Sequence, residues 1–229
     1  LAWSAPGGFW GPGWVCPYPM PDDFLDPAAR QGWMSVKRQR YVRVKLDHPR
    51  FEDRDGESRP IKYESPRNRK TQAYFPVDVL KRLEDVGGDD VGNIHTDDTN
   101  TDTNSTTPII ITEGEKKAIA LWQIGLLVIG LGGCWNWTPK AKRDDNGHRL
   151  DETYKLLDEL ERVRWQGRQV VILFDSDAAI KPTIQRAEWE LSKVLTARGA
   201  TVRVARLPAI SDDPTVKTGV DDFMIHHGM

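Results

Sequence analysis

A chain of 229 residues, 38% hydrophobic and 29% charged, carries enough apolar material for one or two compact domains, with some stretches left exposed. Its 32 Lys and Arg against 34 Asp and Glu leave a formal charge of −2, and its longest apolar run, 118–132, is broken by Gln123 and glycines, which excludes a membrane-spanning helix. The cysteines, Cys16 and Cys134, lie far apart and outside any ligand spacing, which argues against a disulfide framework or structural zinc and points to a reducing, cytoplasmic setting.

The chain opens on Leu1 without a signal-type segment, as expected of a piece excised from a longer protein with further domains. Residues 1–34 are rich in Gly, Pro and Trp and show neither helical nor strand period, so an irregular aromatic segment is expected. Its tryptophans pin a loop onto a core or, as the sharper alternative, offer a stacking platform for bases.

Residues 35–84 are expected to form a small basic β-rich lobe for nucleic acid. Twelve basic side chains between 37 and 70 face six acidic ones. The run Tyr41-Val42-Arg43-Val44-Lys45-Leu46 alternates apolar and basic residues, the pattern of a strand with one packed and one cationic face. A second strand is expected near Ile61-Lys62-Tyr63, with Asp55-Gly56 as the hairpin turn and a short helix over Val77–Leu83. Residues 85–107 hold six aspartates and no Lys or Arg, the composition of an acidic, flexible linker.

From residue 108 onward apolar strands alternate with helices. Strands are expected at 109–111, 126–129, 170–174 and 201–204, and helices at 115–122, 151–163 and 182–198. Such alternation implies an α/β fold with a parallel sheet flanked by helices. Ligands bind such sheets beyond the carboxyl ends of the strands, where this chain places Thr112-Glu113-Gly114-Glu115, Gly130-Leu131-Gly132-Gly133 and Asp175-Ser176-Asp177. Asp175 and Asp177 would project to one side of an extended segment as hard oxygen ligands for Mg²⁺, with no basic partner nearby in sequence. Glu113 brings a third carboxylate to the same rim, an arrangement that a divalent cation or a proton would relieve. Thr112-x-x-Glu115 fits a capping box, which assigns Glu115 to the helix start, and the glycines after the second strand read as a tight strand-to-helix turn.

Glu113-Gly114, the glycine turn containing Gly132, Asp175-x-Asp177, and Lys217-x-Gly219-x-Asp221-Asp222 together resemble a Toprim domain over residues 108 to about 224. The resemblance implies a Toprim-type sheet preceded by the basic lobe, Glu113 as general acid or base, and Mg²⁺ or Mn²⁺ held by Asp175 and Asp177 together with Glu113. Gly114, Gly132, Asp221 and Asp222 would support the site. Lys62-Tyr63-Glu64-Ser65-Pro66-Arg67 looks like the K-Y-x-N-S-P segment that precedes Toprim in bacterial primase cores, with Glu-Ser in place of Asn-Ser. In that reading Arg43, Lys62, Arg67, Arg69, Lys70, Lys116, Lys117 and Lys217 contact template or nucleotide phosphates. The Glu113–Ala118 and Lys217–Asp222 stretches are more similar still to an uncharacterised Toprim-like family of plasmid and phage replication proteins, often next to a helicase module.

The implied activity is metal-dependent nucleotidyl transfer, primer synthesis on single-stranded DNA from nucleoside triphosphates, with a replicative helicase as partner. A metal-dependent nuclease would use the same residues with water as nucleophile. A non-catalytic module that binds single-stranded DNA or a helicase is the third alternative. A dinucleotide-dependent dehydrogenase is disfavoured, because the first strand lacks the glycine fingerprint and Glu113 would repel a pyrophosphate.

Overall fold

The computed structural model describes residues 13–18, 41–54, 56–66, 69–76, 79, 83, 107–141, 144–146, 150, 153–211, 213 and 216–229. Most of the Trp-rich start, most of the expected 77–83 helix, Arg67 and the acidic stretch up to residue 106 lie outside them. The chain divides into two units, 1–70 and 71–229.

In the first unit, β1 (Gly13–Pro17), β2 (Val42–Arg54) and β3 (Glu57–Glu64) form an antiparallel sheet in that order. The β2 to β3 turn runs through Gly56 at φ 80°, a conformation open to glycine, as expected of the Asp-Gly pair. Two differences stand out. The segment expected to be irregular contributes β1, whose partner strand supplies the ladder that its sequence period does not advertise. Burial does not differ between the two faces of β2 as expected either: Val42 through Leu46 are all half-buried. A long cationic side chain lies along apolar surface instead of standing off it, as Arg43 does 4.7 Å from the centre of the Tyr63 ring.

The second unit is a mixed α/β fold with a parallel sheet and flanking helices. Strands β4 (Ile109–Glu113), β5 (Leu127–Leu131), β6 (Gln169–Leu173) and β7 (Thr201–Ala205) run parallel in the order β5-β4-β6-β7. The helices are α1 (Glu115–Gln123), α2 (Asp158–Glu161), α3 (Pro182–Thr196) and α4 (Val220–His226). β4 and β5 are apolar on both sides and buried, whereas edge strand β7 leaves Val204 exposed. Helix α3 buries Ile184, Ala187, Leu191 and Leu195, one stripe at the helical period, and begins with Pro182 where no backbone donor is needed. Tyr74 closes the outer edge of β5 by exchanging two 2.8 Å backbone hydrogen bonds with Gly130.

Among the described residues of the helix expected over 151–163, only the single turn of α2 is helical. Its apolar residues Leu156, Leu157, Leu160 and Val163 are buried, but the backbone is committed elsewhere. The Leu157 N–H donates to the Trp137 carbonyl at 3.0 Å and the Leu156 N–H to the Glu161 carboxylate at 3.3 Å. Helix α4, by contrast, follows a motif read from the sequence only for its chemistry. Among the described residues no helix is long and apolar enough to cross a membrane.

Candidate functional site

Strand order places the first strand of the second unit, β4, between the second, β5, and the third, β6. The connections leaving the carboxyl ends of β4 and β6 therefore diverge, and the point where they part is the usual ligand position in open α/β sheets. Glu113 is the last residue of β4 and pairs in register with Leu131, while Thr112 pairs with Leu173, so Asp175 follows two residues beyond the paired end of β6.

Glu113 ends its strand at that point, and the chain turns sharply behind it. Gly114 has φ 96° and ψ 147°, a region essentially reserved for glycine, and its N–H donates to the Leu131 carbonyl at 2.6 Å. Helix α1 starts at once, with Gly114 as its N-cap. The expected capping box is thus absent: Thr112 still belongs to β4, out of reach of the helix start, and Glu115 is a buried first-turn residue. After β5 the chain makes turns over 132–138 and no helix, contrary to the expected strand-to-helix turn.

Asp175 and Asp177 do not alternate along an extended segment. Ser176–Ala179 is a 3₁₀ turn with Asp175 as its N-cap, so Asp175 is buried at the strand end and Asp177 lies on the turn. The two carboxylates also have cationic partners, contrary to expectation. Lys181, four residues on, donates to Asp177 Oδ2 at 2.8 Å. Two more lysines come from distant segments, as local sequence could not reveal. Lys217 Nζ donates to Asp175 Oδ2 at 2.6 Å, and Lys117 Nζ forms an ion pair with Asp175 Oδ1 outside hydrogen-bonding geometry. The carboxylate cluster is relieved by ammonium groups.

The stretch 217–219 is stitched to the 3₁₀ turn. Ser176 N–H donates to the Thr218 carbonyl at 2.9 Å, Thr218 N–H to Ser176 Oγ at 2.8 Å, and Ile210 N–H to Thr218 Oγ1 at 3.1 Å. Gly219 N–H donates to Asp222 Oδ2 at 3.0 Å, which starts α4. A Cβ on Gly219 would stand 2.5 Å from Asp221 Oδ1 and 2.6 Å from Lys117 Cε, so a larger residue would push both side-chain ends aside. Asp221 thus joins the rim beside Lys117, while Asp222 is spent on the helix start.

The electrostatics follow this layout. Burial, and then the charge of Asp175, push the Glu113 carboxyl above its ordinary range, while Lys217 and Lys117 pull it back. Burial opposes the Lys217 ammonium, but its hydrogen bond to Asp175 and the charges of Asp175, Glu113 and Asp177 win, and its pKa rises. Burial, and then the charge of Glu113, push the Cys134 thiol up to about 11, so it stays protonated at neutral pH. Asp177 Oδ1 and Asp221 Oδ1 are buried with no hydrogen-bond partner among the described residues. Among those residues no group of three His, Cys, Asp or Glu side chains is arranged to hold a metal ion.

Of the other expected site residues, Lys116 is exposed on α1 and Gly132 lies in the bend after β5. Arg43, on β2, and Lys62, on β3, belong to the first unit with Arg69 and Lys70, while Arg67 lies outside the described residues. Sequence reasoning missed Lys181 on Asp177. It also missed the aromatic group after β5, where Trp135, Trp137 and Tyr154 have ring centres 5.4 to 6.2 Å apart. The Trp-x-Trp spacing was the available signal.

The family described as "Domain of unknown function (DUF3854)" matches residues 100–229, more than half of the chain, and the chain belongs to that family. It is 36% identical over 125 residues to an uncharacterized protein of Picosynechococcus sp., a match covering 53% of this chain and 12% of the relative. No solved structure matches.

Proposed function

We propose that the rim is a Toprim-type centre for phosphoryl transfer, making primers on single-stranded DNA from nucleoside triphosphates. The observation that carries this reading is the meeting of Glu113 and Asp175 at the point where strand order reverses, with Lys117 and Lys217 on Asp175. Hydrolases and transferases of phosphate esters need a proton acceptor beside the nucleophile and positive charge beside the phosphoryl group.

A divalent cation fits part of this donor set. Mg²⁺ is commonly held by one or two carboxylates and completed by water and substrate phosphates, so a closed cage of three protein ligands is not required. Asp175 and Asp177 would hold Mg²⁺ or Mn²⁺ with Glu113 adjacent, and the buried, unsatisfied Asp177 Oδ1 and Asp221 Oδ1 are oxygens suited to a cation or its water. Bound there, the ion would neutralise charge on the transferring phosphoryl group.

The chain's own residues do the rest. A Glu113 carboxylate oxygen accepts the proton of the attacking 3′-hydroxyl as its oxygen bonds to the α-phosphorus and pyrophosphate leaves, and later releases that proton to water; the raised pKa of Glu113 makes it a better acceptor than an ordinary surface glutamate. Lys117 and Lys217 are held in place by Asp175, ready to turn toward triphosphate oxygens when these enter. The cationic side chains of the first unit supply sequence-independent phosphate contacts.

The test is a denaturing-gel assay on single-stranded DNA with Mg²⁺ or Mn²⁺, with and without labelled nucleotides. Wild-type protein should make new labelled products, and Glu113→Gln and Asp175→Asn should not. An unchanged product ladder in either variant refutes the assignment. Shortened template without added nucleotides would assign the rim to a nuclease. A second reading draws on the ammonium groups that already neutralise Asp175: a non-catalytic module that binds single-stranded nucleic acid, for which Glu113→Gln would leave binding and replication in a cell intact.

A further inference from the structure

We propose that Trp135 is a stacking platform for a nucleobase whose phosphate lies at the Glu113 and Asp175 rim, which rests on the phosphoryl-transfer reading above. Trp135 follows β5 by four residues, on the loop that leaves the rim next to Glu113. Its neighbour Cys134 is close enough for the thiol to feel the charges of both Glu113 and Asp177.

The ring geometry leaves one face of the indole uncovered by its aromatic partners. Trp137 and Tyr154 both stack on Trp135, with centres 6.2 and 5.5 Å away and planes inclined by 23° and 29°. Rings on opposite faces of an indole would be separated by about 7 Å or more, twice the ~3.5 Å contact distance. Trp137 and Tyr154 are 5.4 Å from each other, so both lie on one side of Trp135. Neither covers the other face, and Trp135 remains only half-buried.

The platform is also held in place. Trp137 is fully buried, its carbonyl accepts the Leu157 N–H at 3.0 Å, and the Asn136 N–H closes a turn on the Gly133 carbonyl at 2.8 Å. An aromatic face that is already fixed loses little conformational freedom when a base stacks on it. A fixed indole on the loop that leaves the rim, together with the lysines that Asp175 holds, offers the two elements of nucleotide recognition: a π surface for the base and cations for the phosphate.

The experiment measures binding by fluorescence anisotropy on the full chain without divalent cation, so no turnover is needed. The probes are a labelled oligodeoxythymidylate and an abasic strand of the same length. Wild type should prefer the strand with bases. Trp135→Ala should lose about five- to hundredfold in affinity for that strand and nothing for the abasic one, whereas Trp135→Phe should keep most of the affinity. Competition by ATP separates the two sources of the base. Displacement of the strand by ATP in wild type and not in Trp135→Ala assigns the platform to the incoming nucleotide; no displacement assigns it to the strand. A wild type that does not distinguish the two strands, or a Trp135→Ala that weakens both equally, overturns the proposal. Because no chemistry is read, an inactive rim in the gel assay and a failed platform are seen separately.

Discussion

Replacing Asp175 by asparagine removes the charge on which Lys117 and Lys217 converge, and keeps the size and most of the shape of the side chain. Their surroundings differ. The Lys117 side chain is 17% exposed and that of Lys217 is 50% exposed, so only Lys117 is left nearly buried without its counter-ion. Removing one partner of a buried pair costs about 3–5 kcal/mol, whereas an exposed pair is worth about 0–1 kcal/mol. Lys117 keeps partial access to water and asparagine can still accept a hydrogen bond, which brings the expectation to about 2–3 kcal/mol. With a urea slope of ~2 kcal/mol per molar, the unfolding midpoint should fall by about 1–1.5 M. The control is the pair Asp175→Asn and Lys117→Met, which removes the stranded ammonium and should recover a large part of the loss. A midpoint within 0.2 M of wild type for Asp175→Asn, or a double variant as unstable as the sum of the single changes, would refute the view that Asp175 neutralises a buried lysine.

Glu188 on α3 offers a pH test away from the rim: its carboxylate is buried and takes both Arg206 guanidinium nitrogens at 2.7 Å. Burial raises its pKa more than Arg206 lowers it, so the folded state holds the proton more tightly than the unfolded one. Its contribution to stability is therefore fully present below the ordinary carboxylate pKa and is lost as pH rises through the folded value; Glu188→Gln should lack that loss in urea midpoints measured across the window, and parallel curves would refute it. Gly114→Ala should destabilise by about 1–3 kcal/mol through backbone strain alone, because an added Cβ meets no atom within 4 Å, and an unchanged thermal midpoint would contradict a left-handed φ at this residue.

The rim shows where local reading stops. The apolar runs that became β4, β5, β6 and β7 and the stripe of α3 were legible within a residue or two at most ends, because burial on both sides of a strand or one side of a helix leaves a periodic trace. The run 151–163 left a helical trace as well, yet its apolar residues are buried from an irregular backbone, since hydrophobic spacing does not record where backbone donors go. The strand β1 left no trace, because its ladder is supplied by β2.

The sequence by itself determined the α/β alternation, the basic character of residues 35–70, and that Glu113 ends one strand while Asp175 and Asp177 follow another, since each of these is a property of contiguous residues. Tertiary structure alone decided that β4 lies between β5 and β6, that Lys117 and Lys217 both settle on Asp175, and that Trp137 and Tyr154 share one face of Trp135. Those contacts join residues far apart in the chain: 17 positions from Trp137 to Tyr154, 42 from Asp175 to Lys217 and 58 from Lys117 to Asp175. Which distant charge or ring ends up in contact is set by chain crossovers and packing, and neither leaves a mark in the local order of side chains.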